Sequence, residues 1–250
     1  MGPIVFLHIP KTAGQATHRE LVALVDGEEH VSPIRVHTQA RDTSQLPAGY
    51  RLYSGHIDWT DLESLPQTRF AFTIFRDPRE RIASFYLYLL KEAQALGEAA
   101  LAQPENRGKQ RILTNSADDY FFSDDLEWQS FIHDHYNNFY CTYLATRKIR
   151  GYGAMKSLSR SERLRAALDG AAALDGIFST DALEELECEL EARFGARVDL
   201  KGNYFNRGSA PQEAARWPLL MKRLERDSSR SRLENFADLD LEICRKVIGA

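Results

Sequence analysis

Two segments of this chain have the same order: a short, mainly apolar run, a polar turn with a cation, and then apolar residues at helical spacing. The run 4–9 leads into the turn Lys11–Gly14, and the run 70–75 leads into Arg76 and Asp77. Continuous apolar runs are typical of strands buried in a parallel sheet, because helices cover both faces of such sheets. The repeated order therefore predicts an α/β protein, a three-layer sandwich with a mainly parallel central sheet flanked by helices.

Composition narrows the class of protein. The chain has 250 residues, of which 43% are hydrophobic, enough for one continuous core, so we expect a single domain over 1–250. A net charge of -4 argues against a partner that is a nucleic acid bound through overall positive charge. Cys141, Cys188 and Cys244 are too widely spaced for a zinc cluster or a disulfide framework. Since the run 4–9 is too short for a signal peptide or membrane span, we expect a cytoplasmic protein.

Local signals place the other elements. Asp77 as N-cap, Pro78 at the first helical position and Glu80 as the end of a capping box predict a helix after the second strand. Its apolar stripe faces the core and Ser84 lies on another side, next to ligand or water. The polar segment 103–125 is expected to be an irregular, exposed insertion. Further elements are predicted as follows: helices 126–144, 161–174 and 182–194, and a strand at 176–180.

The first turn has the composition of a phosphate-binding loop. It combines small residues, a cation and a hydroxyl group just before a helix, where free backbone N–H groups and the helix dipole favour an anion. A nucleoside-triphosphate loop has its glycine immediately before Lys-Ser/Thr, whereas here Gly14 follows Lys11. This order disfavours an ATPase or GTPase. A surface Lys-Thr turn before an ordinary helix is the alternative interpretation.

Segment 6–14 resembles the 5′-phosphosulfate loop of carbohydrate sulfotransferases that use 3′-phosphoadenosine 5′-phosphosulfate (PAPS), especially the group with heparan sulfate 2-O-sulfotransferase. The resemblance implies a P-loop-like sandwich, PAPS as donor, adenosine 3′,5′-bisphosphate as product, and no metal. It implies that Lys11 holds the bridging oxygen and stabilises the leaving phosphate. The residues expected to wrap the 5′-phosphate are Thr12, Ala13, Gly14, Gln15, Ala16 and Thr17. Family members carry hydroxyl residues directly after the glycine, and this chain has Gln15 and Ala16 there.

A second phosphate site is predicted at the start of the second helix. Arg76 precedes this helix and Ser84 lies about two turns into it, so a guanidinium and a hydroxyl group can converge on one phosphate. By the same resemblance, this pair binds the 3′-phosphate of the donor, and Arg207 and Ser209 in the late loop 203–211 close over the nucleotide. The alternative is an Arg76 that pairs with a carboxylate and a solvated Ser84.

His56 is the candidate base. Transfer to an alcohol needs a group that takes the hydroxyl proton, and histidine suits that task at neutral pH. His56 follows a strand and resembles the Gly-His element that supplies the base in these sulfotransferases, with Gly55 leaving room for the acceptor. The acceptor is expected to be a hydroxyl group of a carbohydrate. His8, on the first strand, is interpreted as a core histidine.

Two other functions remain open from the sequence. The first is a metal-dependent P-loop kinase or nucleotide hydrolase, in which Asp77 is a magnesium ligand. The second is a nucleotide-binding regulatory domain without transfer activity. Neither the identity of the acceptor nor the oligomeric state is indicated by these motifs.

Overall fold

The fold is organised around a four-stranded parallel sheet. A computed structural model of the chain describes residues 2–41, 43–205 and 215–249. Within them the sheet has the order β2-β1-β3-β4, every neighbouring pair being parallel. The strands are β1 (Ile4–Leu7), β2 (Leu52–Gly55), β3 (Phe70–Phe75) and β4 (Gly176–Ser179). The predicted strand 70–75 is confirmed at both ends, whereas β1 stops two residues earlier than its apolar run.

Helices fill the connections between and after these strands. In chain order they are α1 (Gly14–Leu24), α2 (Pro78–Gln94), α3 (Glu98–Leu101), α4 (Arg107–Thr114), α5 (Ala117–Phe122), α6 (Leu126–His135), α7 (Phe139–Thr146), α8 (Tyr152–Met155), α9 (Arg160–Ala171), α10 (Leu183–Phe194), α11 (Leu200–Phe205), α12 (Arg216–Met221), α13 (Asp227–Asn235) and α14 (Asp238–Val247). Of the residues described, none lies in a helix that is both long and apolar enough to cross a membrane.

The strands are apolar on both faces because helices cover both faces. Val5 and Leu7 belong to a cluster packed under α7, α9 and α14, whereas Ile4 and Phe6 belong to a cluster packed under α1, α10 and α11. Successive side chains of a strand point to opposite faces, so a strand between two layers is apolar at most positions. The predicted three-layer α/β sandwich is confirmed.

A third apolar cluster lies beside the sheet and corrects the prediction for 103–125. This segment contains α4 and α5 rather than irregular chain, and Ile112, Tyr120 and Phe121 are buried in the third cluster. Its polar residues cap helices or link distant segments by hydrogen bonds. Ser116 accepts a hydrogen bond at the start of α5, and Asp118 accepts hydrogen bonds from the backbone N–H groups of 225 and 226. The residue types that cap helices are also common in loops, so the sequence of this segment resembles that of a loop. The single-domain organisation stays a prediction.

The predicted helix 126–144 is two helices. The chain breaks between α6 and α7 at Asn138, which has a left-handed φ of 46°. Its side-chain oxygen accepts hydrogen bonds from the backbone of Leu239 and Asp240. The break therefore attaches α7 to α14, which is a tertiary contact that local helical spacing does not report.

Candidate functional site

The predicted site residues lie at one edge of the sheet. His56, the turn with Lys11, and Arg76 directly follow the carboxyl ends of β2, β1 and β3, which are adjacent in that order. The chain leaves β1 toward β2 and returns on the other side of β1 as β3. In open parallel sheets, the point where the strand order reverses is where ligands bind, at the carboxyl ends of the strands. The turn with Lys11 and the start of α2 flank that point.

The turn after β1 has a strained backbone. Lys11 and Ala13 have left-handed φ values of 74° and 66°, a conformation that costs non-glycine residues about 1–3 kcal/mol each and clusters at ligand sites. Ala13 is the N-cap of α1 and supplies no side-chain cap, so the first N–H groups of α1, at Gly14, Gln15 and Ala16, have no capping side chain. Free N–H groups at the start of a helix bind anions.

The two hydroxyl groups of this loop are already engaged. Thr12 donates to the carbonyl of Ile9 at 2.9 Å, and Thr17 donates to the carbonyl of Ala13 at 3.3 Å. Both threonines are buried, whereas Gln15 is exposed. The groups of the loop best placed to donate to an anion are therefore the backbone N–H groups, the Gln15 amide and Lys11.

Lys11 lies over an aromatic ring and near other cations. Its Nζ is 3.9 Å from the centroid of the Tyr88 ring. Burial, and after it the charges of Arg216 and Arg76, lower the pKa of Lys11 to about 8. Within the described part of the chain, Lys11 forms no ion pair with a carboxylate.

Arg76 is fixed through its backbone and its side chain. The Tyr140 hydroxyl group donates to the Arg76 carbonyl at 2.9 Å and lies 3.1 Å from its N–H. The guanidinium lies 3.4 Å from Glu80, an ion pair of the kind that the alternative interpretation expected. Arg207 and Ser209, the predicted partners of Arg76, lie outside the described residues.

One face of α2 lines the site. Glu80, Ser84 and Tyr88 are four residues apart and share this face, with Glu80 against Arg76 and Tyr88 against Lys11. Ser84 between them is 6% exposed, so it is largely shielded from solvent, and its role toward a ligand stays a prediction. The capping box is also wrong: Asp77 caps α2, but Glu80 accepts hydrogen bonds from the backbone N–H groups of 216 and 217.

His56 has the tautomer of a base. Its Nδ1 lies 2.6 Å from the carbonyl of His8 and must donate to it, because a carbonyl only accepts. In the neutral ring this leaves the lone pair on Nε2. Burial is the main cause that lowers the pKa of His56 below 6.5, so the ring is neutral at pH 7.

The role predicted for Gly55 is corrected. A Cβ atom at this position would lie 2.3 Å from the carbonyl oxygen of Arg35. The space beside Gly55 is therefore filled by the protein backbone, which also accepts the N–H of His56 at 2.8 Å. A glycine is required here for close chain packing and not for approach of an acceptor.

Sequence reasoning missed a basic cavity beside His56. It has a volume of about 210 Å³ and is lined by His8, Gly14, Gln15, His18, Arg19 and Arg35. Arg35 lies 2.6 Å from Nε2 of His18, and Nδ1 of His18 lies 3.1 Å from Ser54. His8 lines this cavity and its ring lies 4.3 Å from the His56 ring, centroid to centroid, while it also stacks on the core residue Phe6.

Two further histidines near His56 carry unsatisfied ring atoms. Both ring nitrogens of His37 and Nδ1 of His135 are buried without a hydrogen-bond partner. The backbone N–H of His37 donates to the His56 carbonyl at 2.7 Å. Burial, followed by the charge of Arg150, lowers the pKa of His135 to about 3. Buried polar atoms without partners are rare in folded proteins and mark places where a ligand or water supplies the missing bond. Isolated histidines carry no local signal of this kind in a sequence.

Asp77, the magnesium ligand of the kinase alternative, has a structural role. Its Oδ1 accepts the N–H of Glu80 at 2.9 Å and caps α2. Among the described residues, no group of three or more His, Cys, Asp or Glu side chains is placed to hold a metal ion.

Comparison with known proteins agrees with the position of the site. Residues 2–153 match the family described as "Sulfotransferase family", and the matched part contains β1, β2, β3, the turn with Lys11, His56 and Arg76. No curated protein matches the chain with significance. Because the match covers more than half of the 250 residues, the chain belongs to the Sulfotransferase family, enzymes that transfer a sulfuryl group from a nucleotide sulfate donor to a hydroxyl-bearing acceptor.

Proposed function

We propose that this enzyme transfers a sulfuryl group from PAPS to a hydroxyl group of a carbohydrate, as a member of the group that resembles heparan sulfate 2-O-sulfotransferase. The observation that carries the proposal is the order of His56, Lys11 and Arg76 along three adjacent strand ends. Sulfuryl transfer needs groups in the same order: a base beside the acceptor, a cation beside the leaving phosphate, and a second cation beside the 3′-phosphate at the other end of the donor. The turn after β1 and the start of α2 would then hold opposite ends of one nucleotide.

The donor site is proposed to combine two anion-binding elements. Backbone N–H groups at the start of α1 and the residues Thr12 to Thr17 bind the 5′-phosphate end. Arg76 and Ser84 bind the 3′-phosphate, and Arg207 with Ser209 closes over the nucleotide. The proposal is supported by the shared face of α2, which puts Ser84 between a residue that contacts Arg76 and a residue that contacts Lys11.

The residues at the sheet edge have complementary tasks in the transfer. When bound, the donor supplies a sulfuryl group attached to a phosphate leaving group. Nε2 of His56 takes the proton of the acceptor hydroxyl group while the acceptor oxygen forms its bond to sulfur. The bond from sulfur to the bridging oxygen breaks, and the Lys11 ammonium group stabilises the negative charge that develops on that oxygen.

Polar groups around His56 favour a carbohydrate as acceptor. Sugar hydroxyl groups donate and accept hydrogen bonds, and the unpartnered ring atoms of His37 and His135 can take either role. Arg35 adds hydrogen-bond donors in the adjoining cavity. A small apolar alcohol would leave all of these groups without partners.

The donor assignment is tested without knowledge of the acceptor. Calorimetric titration of the full chain with adenosine 3′,5′-bisphosphate, and separately with ATP, is carried out with and without Mg²⁺. We expect tight binding of the bisphosphate that does not depend on Mg²⁺, and weaker binding of ATP. Preference for ATP together with a requirement for Mg²⁺ would support the kinase alternative instead.

The transfer step and the base are tested separately. Radiolabelled PAPS is incubated with desulfated heparan sulfate, and the label on the polysaccharide is counted. His56→Ala should decrease the transfer rate by about 10²- to 10⁴-fold, the usual contribution of a general base, while its affinity for the bisphosphate stays close to that of the wild type. Loss of binding and transfer in equal measure would assign His56 a structural role.

A further inference from the structure

Glu80 joins two distant parts of the chain at the donor site. Its Oε2 lies 3.4 Å from the Arg76 guanidinium and accepts the backbone N–H of Arg216 at 2.9 Å. Its Oε1 accepts the N–H of Trp217, also at 2.9 Å. One carboxylate therefore holds the start of α12 against the residue that precedes α2.

Apolar packing reinforces this attachment. Leu220 of α12 is fully buried in the cluster that contains Ile82 and Tyr86 of α2, and Trp217 packs against the same cluster. Burying a side chain of this size contributes about 1.5–3 kcal/mol. The position of α12 on α2 is thus set by two independent kinds of contact, and Arg216 is held at the edge where Lys11 and Arg76 lie.

Lys11, Arg76 and Arg216 therefore share a small region in which few carboxylates neutralise their charges. The charges of Arg216 and Arg76 both act on Lys11 and lower its pKa, whereas Glu92 raises it. Glu92 lies 4.0 Å from Lys109, and Glu80 already interacts with Arg76 and the α12 backbone. In the described part of the chain, the Arg216 side chain has no carboxylate or hydrogen-bond partner. Like charges repel, so such a group gains stability from a bound anion with several charges.

We propose that Arg216 is a third donor-binding cation, which contacts a phosphate group of the bisphosphorylated nucleotide, and that Glu80 is the positioning residue that brings it to Lys11 and Arg76. The inference rests on the proposed function, because it takes the nucleotide to be the ligand of this site. Arg216 belongs to none of the motifs that pointed to that nucleotide, and it lies beyond the residues that match the family.

The test compares Arg216→Ala with Arg223→Ala, which removes the same charge from an exposed position just after α12. Calorimetric titration with adenosine 3′,5′-bisphosphate should show a dissociation constant about 10- to 100-fold higher for Arg216→Ala, the usual effect of losing a charge-assisted hydrogen bond. Arg223→Ala should bind like the wild type, and Arg216→Lys should recover part of the affinity. Equal affinity of Arg216→Ala and wild type would overturn the inference while leaving the proposed donor intact. A wild-type chain that does not bind the bisphosphate would overturn both.

A second measurement examines the role of Glu80 by a readout that loss of packing would not produce. The pKa of Lys11 is determined from the pH dependence of its acetylation by acetic anhydride, followed by peptide mass spectrometry. Arg216→Ala should raise the pKa of Lys11, because a neighbouring cation is lost while Tyr88, Arg76 and Glu80 remain. In the Glu80→Ala background, where Arg216 is already displaced, the same removal of Arg216 should change the pKa of Lys11 little. An unchanged Lys11 titration in Arg216→Ala would contradict the placement of Arg216, and an equal rise in both backgrounds would contradict the positioning role of Glu80.

Discussion

The ammonium group of Lys11 lies 3.9 Å from the centroid of the Tyr88 ring, on the face of α2 that also carries Ser84. The contact keeps a cation at the start of the proposed donor site, and among the described residues no carboxylate is paired with Lys11 that a phosphate would have to displace. A cation over an aromatic face gains about 0.5–2 kcal/mol, depending on its exposure. Tyr88 therefore holds Lys11 ready for an anion.

Replacing the ring should weaken donor binding. In Tyr88→Leu the lysine side chain regains rotamer freedom, and ordering it again on binding should increase the dissociation constant of adenosine 3′,5′-bisphosphate about 2- to 10-fold. Tyr88→Phe keeps the ring and should bind like the wild type. Isothermal titration of both variants checks this. Tighter binding by Tyr88→Leu would mean that the ring competes with the donor for Lys11.

The pH dependence of transfer should be bell-shaped. As the proposed base, His56 acts only when neutral, and burial lowers its pKa below 6.5, so activity should rise with pH through a midpoint below 6.5. Lys11 acts only as a cation, and its pKa is lowered to about 8, so activity should fall as the pH rises through 8. The measurement is kcat/KM for transfer from PAPS to desulfated heparan sulfate across this pH range.

The Lys11→Arg variant is the control for the alkaline limb. Arginine stays charged at every pH of the experiment, so this variant should retain a reduced activity without the decline near pH 8. A wild-type profile that stays flat well above pH 8 would remove Lys11 as the source of the limb.

Local patterns were sufficient to predict the sheet and the two turns that follow its strands. The apolar runs 4–9 and 70–75 are rich in branched and aromatic residues and contain one polar residue each, His8 and Thr73, a pattern typical of a buried strand. Arg76 follows its strand directly and Lys11 follows β1 within four residues, so their place at the sheet edge follows from the strand assignment and from parallel pairing.

The surroundings of these residues depend on contacts between distant parts of the chain. Glu80 has the spacing of a capping box, yet its carboxylate meets the backbone of 216 and 217. Gly55 adjoins the backbone of Arg35, and the cavity beside His56 includes residues from three separate segments. The polar stretch 103–125 is helical because apolar residues spaced along it reach a core formed by other helices. None of these partners is indicated by nearby sequence.

Gly14 should be sensitive to the smallest side chain. A Cβ atom there would lie 1.6 Å from Nε2 of His8, so Gly14→Ala must displace the His8 ring and, through it, the contact with His56. Overpacking of this kind destabilises by about 1–3 kcal/mol. We expect Gly14→Ala to lower the free energy of unfolding in urea by that amount and to reduce transfer.

Gly153→Ala is the matched control for Gly14. A Cβ atom at Gly153, in the short helix α8, would meet nothing within 4 Å. Since alanine favours a helix over glycine by up to about 1 kcal/mol, this variant should be as stable as the wild type or slightly more stable. If Gly14→Ala and Gly153→Ala unfold alike and transfer at the same rate, the packing of His8 over the loop does not matter for the site.

Asp240 should be the most costly carboxylate to remove. It is buried, and its two oxygens accept the backbone N–H groups of Tyr140 and Cys141 at 3.0 and 2.8 Å, at the start of α7. In Asp240→Ala both donors lose their partner inside the protein, and each unsatisfied group costs about 1–3 kcal/mol. We therefore expect the free energy of unfolding in urea to fall by about 2–5 kcal/mol, with an unchanged m value.

Asp238→Ala removes an exposed carboxylate of the same helix and should change the stability by less than about 1 kcal/mol. Similar losses in the two variants would show that the carboxylate of Asp240 does not hold α14 against α7, and that the apolar contacts between these helices are sufficient.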